Sequence, residues 1–368
     1  MHYKVLSQGF VRQSEPRETG LIAVQPRTTV TRDGDILCTY VQQAKLGTND
    51  FQPMLARSRD GGNTWVEQPL WPHLWKEWSI IGNMSTATNG DVYFFGARTR
   101  IEKPGQPFWC DATQGMLPND LLWARSRDGG RTWGEPTVAP VPIPCSAEAT
   151  SPMVVTRQGT WVSSIAPYNT WDLKLVVKRN QVVAVWSEDE SRTWRHSAMM
   201  QFPHAESTAA GHSVVELSDG RVLGVTWHIN ETFPQPPSNA YSLSEDGGRT
   251  WGPTLETGIL GQSTGLAALP DGRVLLVYNQ RKHGEHGIWL AVARPTGTNF
   301  GIEANEIIWR ADVPTQGKTS GEHSSWTDFA FGAPSVVVLP DGIWLVTLWC
   351  IQPSGSGVRY VKVQPNLR

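Results

Sequence analysis

The sequence predicts an all-β protein: a six-bladed β-propeller of four-stranded antiparallel blades. Three observations carry that expectation. Four segments share the template Ser-x-Asp-x-Gly-x-Thr-Trp, six apolar hairpins each turn on a glycine, and no long apolar stretch has the helical period.

The turns come first. They are SRDGGNTW (Ser58 to Trp65), SRDGGRTW (Ser126 to Trp133), SEDESRTW (Ser187 to Trp194) and SEDGGRTW (Ser244 to Trp251), with Ser191 at the usual glycine position in the third. The aspartate can accept hydrogen bonds from amides ahead of it, glycine supplies positive φ, and tryptophan packs the turn onto a sheet. This chemistry belongs to folding, not catalysis.

The hairpins run in phase with the turns. TTVTRDGDILCTY, STATNGDVYFF, PMVVTRQGTWVSSI, SVVELSDGRVLGVTW, GLAALPDGRVLLVY and PSVVVLPDGIWLVTLW turn at Gly34, Gly90, Gly159, Gly220, Gly272 and Gly342. Each interval between these glycines is long enough for four short strands, and a radial array of such units protects its sheet edges by closing into a ring. Only one clear strand, GVRYVKV, follows the last hairpin, so the N-terminal YKVLSQ is expected to supply the outer strand of the sixth blade. Residues 1–368 then form one propeller domain. Separate β-sandwiches are the competing reading, but no Pro/Ser-rich linker divides the text.

Composition narrows the function. The chain has 368 residues and balances 32 basic against 34 acidic side chains, so it lacks the basic face that nucleic acid or an anionic membrane requires. No apolar run approaches a membrane span, and MHYKVLSQGF has neither the apolar stretch nor the cleavage site of a signal peptide. A cytoplasmic protein is expected, or an exported one whose signal has been removed. Cys38, Cys110, Cys145 and Cys350 have no metal-ligand spacing; Cys110 and Cys145 lie in Pro-rich loops and are the pair that could form a disulfide.

The Asp-containing turns, their place between the third and fourth strands of successive blades, and the hairpin count resemble the sialidase (neuraminidase) superfamily across essentially the whole chain. That resemblance implies an exo-acting glycosidase that clamps a carboxylated sugar with three arginines and cleaves it with an acidic Asp and a Tyr nucleophile assisted by Glu. Arg27 matches the first arginine, and Asp50 has a spacing like that of the acid/base Asp. Elsewhere the pattern departs: Trp227 stands near the second arginine's place, Gly211 or His212 near the glutamate's, Tyr241 and Ser242 near the third arginine's, and Gln262 or Ser263 where the tyrosine is expected.

Ring position supplies further candidates. Arg27, Asn83, Glu148, His212, Gln262 and Asp328 precede the hairpins, while Arg98, Tyr168, Trp227, His228 and Arg281 leave the second strands. Asp50 and Glu148 are the candidate acids, with Asp328 as a further carboxylate. An apolar wall beside such an acid would raise its pKa. Arg27 and Arg281 suit a carboxylate or sulfate. Asn83, Arg98, Trp227, Gln262 and Asp328 complete the expected binding set, and Trp75, Trp78, Trp109 and Trp326 are further flat surfaces for sugars. His212 or His228 as base would instead give β-elimination of a uronate. A non-catalytic glycan binder is the third reading. QRKHGEHGIW places His283, Glu285 and His286 together, which is weak as a metal motif and reads as a solvated loop. No cofactor or metal is implied; the expected partner is an acidic carbohydrate, and the oligomeric state is open.

Overall fold

A computed structural model describes residues 3–14, 20–317 and 327–366. Six four-stranded antiparallel blades surround an axis, and no α-helix occurs among the described residues. Blade I comprises Ile22–Val30, Ile36–Gln43, Gln52–Ser58 and Val66–Pro69. Blade II comprises Trp78–Thr86, Val92–Arg100, Asn119–Ser126 and Thr137–Val138. Blade III has an interrupted inner strand, Ser146–Glu148 then Val154–Val155, followed by Trp161–Tyr168, Gln181–Ser187 and Arg195–Gln201. Blade IV holds Thr208–Glu216, Val222–Ile229, Ala240–Ser244 and Leu255–Glu256. Blade V holds Thr264–Ala268, Val274–Gln280, Gly287–Ala293 and Ile302–Arg310.

Blade VI is assembled from both ends of the chain. Phe331–Val338, Trp344–Gln352 and Gly355–Pro365 are followed on the outside by Tyr3–Ser14, paired antiparallel from Tyr3 opposite Pro365 to Ser14 opposite Ser356. Tyr3 is buried against Trp344, donates its hydroxyl hydrogen to the Leu290 carbonyl and accepts the Glu306 N–H at 2.8 Å. The first strand therefore fastens blade VI to blade V as well as completing its own sheet.

The four Asp-containing turns share one hydrogen-bond pattern. In the first, the Ser58 hydroxyl donates to Asp60 at 2.8 Å, and Asp60 accepts the Thr64 N–H at 2.9 Å and its hydroxyl at 2.6 Å. These donors hold the Asp60 carboxyl below the usual range; the Thr193 hydroxyl and N–H bring Asp189 down to about 2. Each terminal tryptophan joins apolar side chains of the preceding blade. Trp133 joins the cluster of Leu37 and Leu55, Trp194 meets Phe95 with ring centroids 6.0 Å apart, and Trp251 joins the cluster containing Val162. The repeat thus packs blade on blade, which explains much of the tryptophan excess.

Bulges shape the axis. The inner strands of blades I, IV and VI each carry an extra residue, between Val24 and Arg27, Ala210 and Ser213, and Gly332 and Ser335. Each bulge contains one left-handed residue: Gln25 at φ 57°, Gly211 at φ 54° and Ala333 at φ 45°. A bulge twists a strand and turns its carbonyls and side chains out of the ladder, and it admits Pro26 and Pro334 where a regular central strand would not. Blade III achieves a wider break between Glu148 and Val154.

The third Asp-containing turn keeps the common geometry without its glycines. Glu190 and Ser191 sit at φ 54° and 70°, and the Ser191 N–H still reaches the Ser187 hydroxyl at 2.9 Å. A side chain in this region costs about 1 kcal/mol. Ser191→Gly is expected to raise stability by about 0.5–1 kcal/mol, read as a higher urea midpoint at unchanged slope. A lower midpoint would show that position 191 carries no strain.

Candidate active site

A cavity of about 500 Å³ opens at one end of the axis, and every blade contributes to its wall: Gln25, Ile81, Glu148, Trp227, Arg281 and Trp349 come from blades I to VI in turn. A hairpin inserted in blade II, Trp109–Cys110 with Gly115–Met116, leans over one side. The insertion is anchored by Asn49 N–H to the Gln106 carbonyl at 2.7 Å, Phe108 N–H to Gly47 at 3.0 Å, and Met116 N–H to Asn169 at 2.9 Å.

Glu148 is the buried carboxyl of this cavity that the ring position pointed to. It ends the first piece of the blade III inner strand, and its two carboxyl oxygens each lie 3.2 Å from the Gly211 N–H presented by the blade IV bulge. Burial pushes its pKa up to about 7 against the opposing pull of that N–H and the Arg27 charge. Tyr168 lines the same wall, donates to the Ala209 carbonyl at 3.0 Å, and has its pKa shifted upward by burial and then by the Glu148 charge.

His212 stands behind the acid. It is fully buried, with Nε2 2.9 Å from the Glu148 carbonyl and Nδ1 2.7 Å from the Ser164 hydroxyl. Burial brings its pKa down to about 4, so the ring is neutral at pH 7; Nε2–H donates to the carbonyl and Nδ1 accepts from the serine. Both nitrogens are occupied, so His212 holds the Glu148 backbone in place.

Two buried guanidiniums complete the centre. Arg27 donates from Nε to the Thr150 carbonyl at 3.3 Å and from Nη1 to Pro26 and Ala333 at 2.9 and 3.0 Å, joining blades I, III and VI. Burial lowers its pKa to about 10, which leaves it charged at neutral pH. Arg281 lines the cavity, donates from Nε to Gln262 Oε1 at 2.8 Å and from Nη1 to Phe331 at 2.6 Å, and lies 3.4 Å from the centroid of Phe329. A Cβ on Gly332 would come within 2.6 Å of its Nη1, so glycine makes room for the approach. Among the described residues no carboxylate lies within ion-pair distance of Arg281, which leaves a desolvated positive charge at the wall.

The other sequence-derived candidates lie elsewhere. Asp50 accepts the Ala44 N–H at 3.0 Å and closes its own loop outside the cavity wall. His228 stacks on Phe202 at 4.0 Å, bonds Ser207 at 3.0 Å and does not reach the wall. Asn83 ties blade II to the Ala149 and Ser151 carbonyls, while Arg98 pairs with Asp120 at 3.0 Å over the Trp78 ring. Asp328 is half-buried away from the wall, and Gln262 acts on Arg281 from behind. Trp109 lines the cavity; Trp75 bonds Leu70 at 3.0 Å outside it, and Trp326 falls outside the described residues. Glu285 pairs with Arg310, and the four cysteines carry free thiols, so Cys110 and Cys145 are not bridged.

The wall also contains Arg179, Glu206, Glu231 and Lys282, none of which entered the sequence-derived set. Glu206 stands just before the blade IV inner strand, so extending the ring-position rule a few residues upstream of His212 would have found it. Arg179 belongs to a loop with no template in the other blades.

Repeat turns, bulged inner strands and an axial cavity define the class: a sialidase-superfamily β-propeller. A family model described as "BNR repeat-like domain" matches residues 109–342, and the chain belongs to that family. A sialidase from Micromonospora viridifaciens is 28% identical, over 62% of this chain and 35% of its own length, so the chain spans about a third of that relative. A protein of unknown function from Dyadobacter fermentans superposes with a TM-score of 0.76 at 19% identity, covering 99% of both chains. The Hadza microbial sialidase Hz136 gives 0.68 at 16%, covering 97% of this chain and 68% of that one. The NanB sialidase of Streptococcus pneumoniae gives 0.63 at 14%, covering 99% and 71%. At these identities the structural likeness is one of fold.

The raised pKa of Glu148 has a stability consequence. Its folded value of about 7 lies above the ordinary 4.5, so the folded state binds the extra proton, and stability falls as pH rises from 4.5 towards 7. Glu148→Gln, which retains an acceptor for Gly211, is expected to match the wild type near pH 4 and exceed its stability at pH 8 by about 3 kcal/mol. Equal urea midpoints at pH 8 would contradict the raised value.

Proposed function

We propose that the protein is a sialidase-like, exo-acting glycoside hydrolase that takes an acidic sugar into the axial cavity. The observation carrying this reading is the pairing of a carboxyl that stays protonated to about pH 7 with a desolvated guanidinium on the same wall. Arg281, held in orientation by Gln262, binds the sugar's anionic group. Glu148 donates its proton to the glycosidic oxygen as the bond to the anomeric carbon breaks; water then bonds to that carbon, leaving its hydroxyl on the sugar and returning its other proton to the Glu148 carboxylate. Arg27 keeps the bulges in register beneath the reacting centre. Trp227 offers an apolar face for the sugar ring.

A histidine-driven elimination has less support. His212 uses both ring nitrogens internally, and His228 lies off the cavity wall.

Release of reducing sugar from a panel of acidic glycosides tests the proposal. Glu148→Gln is expected to lower kcat by at least about 100-fold while the protein stays folded. The wild-type kcat/KM is expected to fall tenfold per pH unit above about 7, as the acid loses its proton. Saturable binding with no release from any substrate would make the protein a glycan binder, and a rate unaffected by Glu148→Gln would remove that residue from the chemistry.

A further inference from the structure

The charges in the cavity are confined to one half of it. Glu148, Arg179, Glu206, Glu231, Arg281 and Lys282 are its ionisable acid and base side chains among the described residues, and all come from blades III to V or the loops joining them. Blades VI, I and II contribute carbon surface instead: Leu46, Phe51, Ile81, Phe108, Leu117 and Trp349. Phe51 and Phe108 pack with ring centroids 5.4 Å apart and join the blade I loop to the blade II insertion. The amides on this side are neutral, and two are turned into the protein. Asn119 exchanges two 2.9 Å hydrogen bonds with the Ala147 backbone, and Gln114 donates to the Asp111 carbonyl at 2.7 Å.

Gln25, Gln43 and Thr99 are the other polar residues of this side, scattered among the apolar ones. A polar oligosaccharide crossing such a wall would lose more hydration than these few groups return. Hydrocarbon placed there gains by leaving water. A contiguous apolar surface of this kind, held open beside a charged half, marks a binding region.

We propose that the ligand is an amphiphilic glycoside. Its acidic sugar lies against blades III to V, and its aglycone is an alkyl or aryl group received by the apolar wall of blades VI, I and II. This rests on the glycan-acting reading above and assigns the aglycone side of the same site.

Calorimetric binding of matched methyl and octyl glycosides of N-acetylneuraminic acid and of glucuronic acid, together with product release, tests it. The octyl member of at least one pair is expected to bind at least tenfold more tightly than its methyl partner. Phe108→Ser is expected to reduce that advantage below threefold, and Phe108→Leu, which keeps an apolar side chain, to retain it. A tenfold octyl advantage without product from any glycoside supports the amphiphile site while removing the hydrolase reading. Product formation with equal methyl and octyl affinities overturns the proposal and leaves the hydrolase reading standing. Absence of both binding and turnover overturns both readings, and an octyl advantage untouched by Phe108→Ser overturns the proposed wall alone.

Discussion

A guanidinium buried on the propeller axis holds three blades by their carbonyl oxygens. Arg27 reaches Pro26 on its own blade, Thr150 on blade III and Ala333 on blade VI. Those oxygens are available because bulges and a broken inner strand remove them from regular ladders. The buried charge in turn pulls down the pKa of Glu148, against the larger upward push of that carboxyl's own burial. Arg27 thus links ring geometry to acid strength: a neutral replacement would loosen the blades and let the Glu148 pKa rise further.

Arg281 follows different logic. Its neighbours are an amide oxygen, a carbonyl and an aromatic face, all of which orient a cation without neutralising it. Arg27 is locked into the scaffold, whereas Arg281 presents its charge at the cavity wall. Two arginines of similar burial thus sit in different settings, one tied to three blades and one at the cavity wall. Trp227 borders the same cavity and adds apolar surface to its wall.

The architecture was legible because it is written periodically. Turn chemistry repeats four times and hairpin glycines six, and both are local signals that survive without knowledge of the fold. Glu148, Trp227 and Arg281 were legible for a related reason: equivalent positions in successive blades face one axis. The same rule misassigned the surroundings of residues whose neighbours lie far away in sequence. Gln262 reads as a ligand contact until Arg281 and Asn279 are seen to share its oxygen. Asp50 reads as an acid until its bond to Ala44 is seen, and His228 as a base until Phe202 covers its face. Arg179 and Lys282 leave the repeat altogether, so no spacing points to them.

The strand that completes blade VI pairs with residues more than 340 positions later in the sequence, from Tyr3 opposite Pro365 onward. Contacts of such sequence separation form late and slow the search for the native state. During synthesis, five blades can assemble in order while Tyr3–Ser14 has no partner, leaving an unpaired edge beside blade V's docking site for Tyr3. The pairing of Gly355–Pro365 then decides whether the ring closes on itself or captures the corresponding strand of another nascent chain. Strand exchange between neighbours on one messenger is thus the misassembly to which this topology is most open.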